Sequence, residues 1–585
     1  MIENRVHHKF YRNQRTLFIL LMCAVLAFMG SFGAASVQAD TVNSPPILNT
    51  KDSPSVISSA KPRTVITQDG EIDDMDSLIR FFYYANEVQL EALIYSSSMF
   101  HWRGEDPDAP ADIDGVGQCG GGFTGPQSCL EPHRWTGTDW LYEFIDLYGE
   151  VQPQLLVHDP DYPSAEEVLS VTKIGNVDYS GAMSKDTEGS RFLEDLILDD
   201  GAPIHVQTWG GLNTLARALK SIEDEYSGSS QWTMLQDRVA EKIVIYNILN
   251  QDETLEEYIK PNWPGLKVID NQSQFWSFAY QWSSTVPTDY QYTLQAEFMR
   301  EEFLENHGPL LSRYHTWGDG QEIPGELPGE DRWSPDNGSN PEAQFPSSGR
   351  DINDFISEGD SPAFFYLLDG NGLRQSEDPT WGGWGGRFDV VDYGWIDTED
   401  FNPSTGEDDR SYPQTRWVKE IQNDFAARAD WGVSDFEDAN HPPEATVSEG
   451  LDHVVDPGET LILNGSATDP DNDEVSLSWW EYEEAGTALE PINLNDHGDG
   501  SLTAIVPDTA KPGETIHLIL DAQDNGVPAL THHQRVILTI ADQPATDDPA
   551  DEDDPADKDE RPDRDRPSDE GEAAKPQPGS PQYTG

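Results

Sequence analysis

Between Arg63 and Trp431 the chain alternates two hydrophobic patterns. One is a short apolar run rich in β-branched residues and free of breakers, the mark of a buried strand. Arg63–Thr67, Leu90–Tyr95, Pro203–Thr208, Lys242–Ile248, Leu266–Ile269 and Ala363–Leu368 have it. The other is apolar recurrence at helical spacing, as in Leu78, Ile79, Phe82 and Tyr83, or Leu212, Leu215, Ala216 and Leu219. Trp140–Leu147 and Thr293–Glu305 read the same way. Such alternation predicts an α/β domain on an open, mostly parallel sheet, spanning 61–435. After His441-Pro442-Pro443 the texture shifts to short alternating segments separated by Asp/Gly/Pro turns, such as Thr460–Leu463, Val475–Trp479 and Ile516–Leu520. This predicts an all-β immunoglobulin-like sandwich over 441–545.

The two ends of the chain change the picture. Basic residues, the apolar run Leu17–Ala27 and small residues ending in Val37-Gln38-Ala39 predict a signal peptide over 1–39, and so a secreted or periplasmic protein. That apolar run is short for a membrane span, and membrane insertion after cleavage is not expected. Residues 40–60 read as a flexible leader, and 546–585 as a disordered acidic Asp/Pro-rich tail. Cys119 and Cys129 flank a Gly-rich loop, and in an oxidising compartment they are expected to form a disulfide.

Charge narrows the partners. The chain has 108 acidic and 36 basic residues, a formal net charge of −72. The last forty residues hold only 14 of those acids, so the folded body is itself strongly acidic. That argues against nucleic acid or anionic lipid as a partner. It also suggests a saline habitat, where screening tolerates self-repulsion.

The densest chemistry follows the first strand. Asp69, Glu71, Asp73, Asp74 and Asp76 lie between strand and helix, where open α/β sheets place ligands. The helix start favours each carboxylate by only about 0.3–1 kcal/mol. A divalent cation with oxygen ligands would relieve the repulsion; an acidic turn in an acidic protein fits these residues as well.

The segment Thr67-Gln-Asp-Gly-Glu-Ile-Asp-Asp74 resembles the N-terminal fingerprint of the nucleoside hydrolases, usually D-x-D-P-G-x-D-D. Thr67 replaces its first Asp, and Gly70-Glu71 replaces Pro-Gly. Gly210–Ala216 is similar to that family's G-P-L-T-N-L-A, and Asp378-Pro379 to its late H-D-P, with Glu377 in place of the histidine. A closer likeness is to a secreted family described as cellulose-binding, which joins a nucleoside hydrolase-like domain to a C-terminal immunoglobulin-like domain. Asp178–Ser190, Gln251-Asp252 and Trp381–Arg387 carry that likeness. The resemblance implies an open, mostly parallel sheet of nucleoside hydrolase type, and a Ca²⁺ held by Asp69, Asp74, the Asn213 carbonyl and Asp378.

With that resemblance, Asp69 is expected to act as base and Asp73 to accept from a sugar hydroxyl. Glu377 is the expected general acid, if burial raises its pKa; a solvated loop acid fits it equally. His101, Trp102, Asn247, Trp381 and Trp384 are assigned to the substrate. Packing in the core is the alternative for the tryptophans, and His205 reads as a core histidine. The expectation is a Ca²⁺-dependent hydrolase of glycosidic bonds, acting on a saccharide or glycoconjugate. The alternative is a non-catalytic protein that keeps the fold and grips cellulose or another polysaccharide. Nucleoside salvage is weaker, because the late histidine is missing.

Overall fold

The eight strands of the first domain form one sheet in the order β3-β2-β1-β4-β5-β6-β8-β7. They are β1 (Arg63–Gln68), β2 (Gln89–Tyr95), β3 (Thr172–Ile174), β4 (Ile204–Thr208), β5 (Ile243–Ile248), β6 (Lys267–Asn271), β7 (Phe388–Val391) and β8 (Gly394–Asp397). Every pairing is parallel except the β7–β8 hairpin. The computed structural model describes residues 61–104, 119–120, 125, 127–321, 323, 325 and 350–542. The expected signal peptide, leader and acidic tail lie outside the described residues, as does all of 326–349.

Successive β1 residues point to opposite faces, so Val65 and Ile66 enter different cores. The Ile66 side is covered by α1 (Ile72–Phe82), α2 (Asp139–His158), a short α4 (Ser361–Phe365) and α5 (Val418–Trp431). The Val65 side is covered by α3 (Asn213–Tyr226), among others. With helices on both faces, the strands are buried from above and below, which is why they read as nearly continuous apolar runs.

Two expectations fail here. Ala363–Leu368 is not a strand: α4 begins at Ser361, with Pro362 in its first turn. The run is buried on all sides, so its apolar pattern has no period to separate helix from strand. Thr293–Glu305 is not one helix but a chain of short 3₁₀, α and π turns.

After the small hairpin β9 (Asp400–Asn402) and β10 (Glu407–Asp409), the second domain is a sandwich of two four-stranded sheets. One holds β11 (Glu444–Val447), β13 (Thr460–Thr468), β16 (Ser501–Ile505) and β15 (Asn493–Asp496). The other holds β12 (Asp452–Val455), β18 (Thr531–Ile540), β17 (Thr515–Gln523) and β14 (Ser476–Glu481). Among the described residues no helix is long and apolar enough to cross a membrane.

Candidate functional site

The turn from β1 into α1 has a required shape. Gly70 has φ +79°, and a Cβ there would lie 2.4 Å from the Tyr95 hydroxyl. This turn folds the acids back on one another. The Asp69 amide donates to Asp74 Oδ1 at 2.9 Å, and the Glu71 amide to Asp69 Oδ1 at 3.1 Å. Room for Asp69 comes from Gly210 after β4, where a Cβ would sit 2.8 Å from the Asp69 Cβ. Gly359 makes the same room for Asp73, 2.8 Å from its Oδ2.

The fourth acid comes from far along the chain. Asp360, directly before α4, brings a carboxylate oxygen within 4.8 Å of oxygens from Asp73 and Asp74. Asp69, Asp74 and Asp360 are only 1%, 2% and 1% exposed. Burial pushes the pKa values of Asp73, Asp74 and Asp360 well above the usual carboxylate range, and repulsion from their acidic neighbours adds to it. Ser357 donates to Asp73 Oδ2 at 3.3 Å, but Asp69 Oδ2 and Asp360 Oδ2 are buried with no hydrogen-bond partner. The nearby Arg80 is engaged by Glu358, which also takes the Tyr314 hydroxyl. Clustered, buried carboxylate oxygens fit a hard divalent cation: Asp73, Asp74 and Asp360 converge closely enough to hold one, and Asp69 forms a second such group with Glu71 and His101.

Beside this group, His101 Nδ1 lies 4.0 Å from Asp69 Oδ1 and 3.8 Å from Glu71 Oε2. Glu71 also accepts from the Tyr280 hydroxyl at 3.1 Å, with Arg134 Nη1 at 3.8 Å. Asp76, the fifth acid of the run, is elsewhere, accepting from the His315 amide at 2.8 Å and facing its Nδ1 at 3.0 Å.

The structure thus gathers Asp69, Asp73, Asp74 and His101, and moves the other expected residues away. Asp378 is not among the acids gathered here: its Oδ1 accepts from the Thr380 amide and hydroxyl at 2.9 and 2.8 Å, and the distant acid that joins Asp73 and Asp74 is Asp360. Glu377 is exposed and paired with Arg374 at 2.7 Å, away from the acids of the turn. Asn213 is the first residue of α3, so its carbonyl is directed down the helix axis, away from the helix mouth. Its side chain instead ties Ser96, Ser97, Asn176 and Ala182 together. Asn247 is spent inside the sheet on Thr208, Asn250 and Asp270. Trp102 is fully buried, donating to the Glu131 carbonyl and stacking on His133. Trp384 packs against Phe365 in the core, and Trp381 meets His517 of the sandwich. The expected disulfide between Cys119 and Cys129 is present.

Sequence reasoning missed Asp360 as a site residue. Its available signal was an acid directly before a Ser-Pro helix start.

The first domain is an open α/β sheet with carboxylates gathered at the carboxyl end of its first strand, where such sheets place ligands. Residues 63–388 match the family described as cellulose-binding Sde182, nucleoside hydrolase-like domain, and the chain belongs to that family. Residues 460–540 match the description cellulose-binding protein Sde0182, C-terminal domain. Among solved structures, the fold is similar to a nucleoside hydrolase-related hypothetical protein from Saccharophagus degradans that is associated with carbohydrate metabolism. That match has 23% identity and a TM-score of 0.59, covering 82% of this chain and all of the other. A plant nucleoside hydrolase matches with 12% identity and a TM-score of 0.29, over 62% of this chain and 99% of its own. No curated protein matches the chain.

Proposed function

We propose that this chain is an exported carbohydrate-active protein that binds Ca²⁺ through Asp69, Asp74 and Asp360 and hydrolyses a glycosidic bond in a saccharide or glycoconjugate. The observation that carries this reading is the pair of buried oxygens without a hydrogen-bond partner, Asp69 Oδ2 and Asp360 Oδ2, in two adjoining groups of acids whose one basic member is His101. When bound, the cation supplies the positive charge that makes the cluster stable and orients a water and the sugar hydroxyls. Asp69, on the strand side of the turn, takes the proton of the attacking water. Asp73, the most accessible of the four at 8%, accepts from a sugar hydroxyl and fixes the ring. His101 and Glu71 line the adjoining wall. Direct attack by water on the anomeric carbon inverts its configuration, with no covalent sugar intermediate.

The test is turnover on a glycan panel in Ca²⁺, with chelation and Asp69→Ala as controls. Both controls should abolish it; turnover that persists in Asp69→Ala rejects the reading. A second reading, that the protein grips cellulose without cleaving, is favoured by the description of its family as cellulose-binding. Retention on insoluble cellulose that ignores Asp69→Ala, with no product from any glycan, would select it.

A further inference from the structure

A cavity of about 610 Å³ lies next to the carboxylates and has no part in the chemistry above. It opens at the carboxyl ends of β2 and β3, between Ile174 and Val177 on one side and the start of α2 on the other. It shares a wall with the acidic turn: Thr136 Oγ1 donates to the Gly70 carbonyl at 3.2 Å and bonds the Tyr95 hydroxyl at 2.9 Å. Trp135, Trp140, Thr136, Thr138, Arg103 and Glu143 all face it.

We infer that this cavity is a saccharide subsite, which holds the units of a neutral oligosaccharide beyond the one at Asp73. The inference rests on the carbohydrate reading and gives it a substrate class, a glycan chain in place of a single sugar or nucleoside. Three features point to that occupant. First, the volume suits a ligand well above one sugar ring in size. Second, Trp135 is stacked on Tyr95 at 4.9 Å and held in place, and Trp140 is fixed edge-on to the same ring. Rigid aromatic surfaces next to hydroxyl and charged groups match a sugar, which is apolar on its faces and polar at its rim. Third, the charges are already compensated. Arg103 pairs with Asp178, and Glu143 with Arg313. Asp139, exposed at the first turn of α2, is the acid left over, so the wall offers no surplus base to an anionic glycan.

The test uses the full chain in saturating Ca²⁺ and cello-oligosaccharides of one to six units, with affinity read by calorimetry. Wild type should gain at least tenfold in affinity between the short and long ligands. Thr138→Trp, which fills the cavity, and Trp135→Ala, which removes its floor, should each erase that gain. Ca²⁺ affinity should stay the same in both, which reports that they fold. Affinity that does not rise with chain length in wild type overturns the proposal, as does a full length-dependent gain in both variants. Failure of the cation reading would look different: Asp74→Asn would leave Ca²⁺ titration unchanged, whatever the oligosaccharides do.

Discussion

Two groups of buried acids in this protein are treated in opposite ways. Asp400, on β9, is fully buried and accepts from Arg387 Nε at 2.7 Å, Arg416 Nη1 at 3.2 Å and the Tyr482 hydroxyl of the sandwich at 2.7 Å. Asp360 is as deeply buried, yet one of its oxygens has no partner and its neighbours are acids. Even within one segment the contrast holds, since Glu358, two residues earlier, is matched by Arg80. A buried charge costs several kcal/mol unless it is compensated. Where compensation comes from within the chain, the acid holds the fold together. Where it is withheld, the cation we propose would supply it.

The largest test of this difference removes one acid from each group. Asp400→Ala takes the carboxylate partner from buried Arg387, leaves Arg416 only Glu484 at 3.8 Å, and should cost about 3–5 kcal/mol in denaturant unfolding. Asp360→Asn, measured in chelator, should cost nothing or raise stability, because it removes a charge that repels its neighbours. Equal losses from the two would erase the distinction. Adding back the cation comes next: at a hundred times its dissociation constant Ca²⁺ should stabilise wild type by about 2.7 kcal/mol. Asp360→Asn should lose most of that gain, and Asp400→Ala should keep it.

The sequence makes the two groups unequally legible. Asp69, Asp73 and Asp74 are visible because one turn carries them all, between a strand and a helix with clear periods. Asp360 is hidden because the apolar run after it fits strand or helix alike, and Asp378-Pro379 carries the stronger local pattern. The Trp-Gly-Gly-Trp-Gly-Gly run invites a ligand face, but its glycines serve close packing. A Cβ on Gly382 would lie 2.6 Å from the Tyr482 hydroxyl, and one on Gly385 the same distance from the Tyr366 backbone. Which side of a domain a second domain covers is a tertiary fact, and no period along the chain encodes it. The α/β sheet and the sandwich, by contrast, were both readable from local pattern alone.

The compensated seam also predicts a pH response. His533 on β18 is fully buried between Asp521 and Glu420, at 2.7 and 3.0 Å. Burial alone would push its pKa down, but the two carboxylates outweigh that and hold it at about 10. A raised pKa in the folded state gives stability that is whole below the free histidine value, near 6.5, and is lost as pH rises through about 10. Wild type should therefore lose stability relative to His533→Gln across that window. The change should be of the same order as for Asp400→Ala, because each pH unit between 6.5 and about 10 is worth about 1.4 kcal/mol. A flat difference between the two proteins from pH 6.5 to 10 would place the charge elsewhere.

The smallest effect belongs to Glu377, and it separates the two groups most cleanly. Glu377 bonds Arg374 at 2.7 and 2.9 Å, and Arg374 reaches Asp452 of the sandwich at 3.0 Å. This is a compensated pair at the surface, where solvent screens most of its energy. Glu377→Gln should change stability by less than about 1 kcal/mol. It should also leave Ca²⁺ affinity and any turnover at wild-type values, because nothing links its carboxylate to the cluster around Asp69. A large loss of turnover with unchanged Ca²⁺ binding would restore Glu377 as an acid that reaches the substrate. It would also mean that a paired acid can be functional, and that an unmatched charge is no guide to which acids do the chemistry.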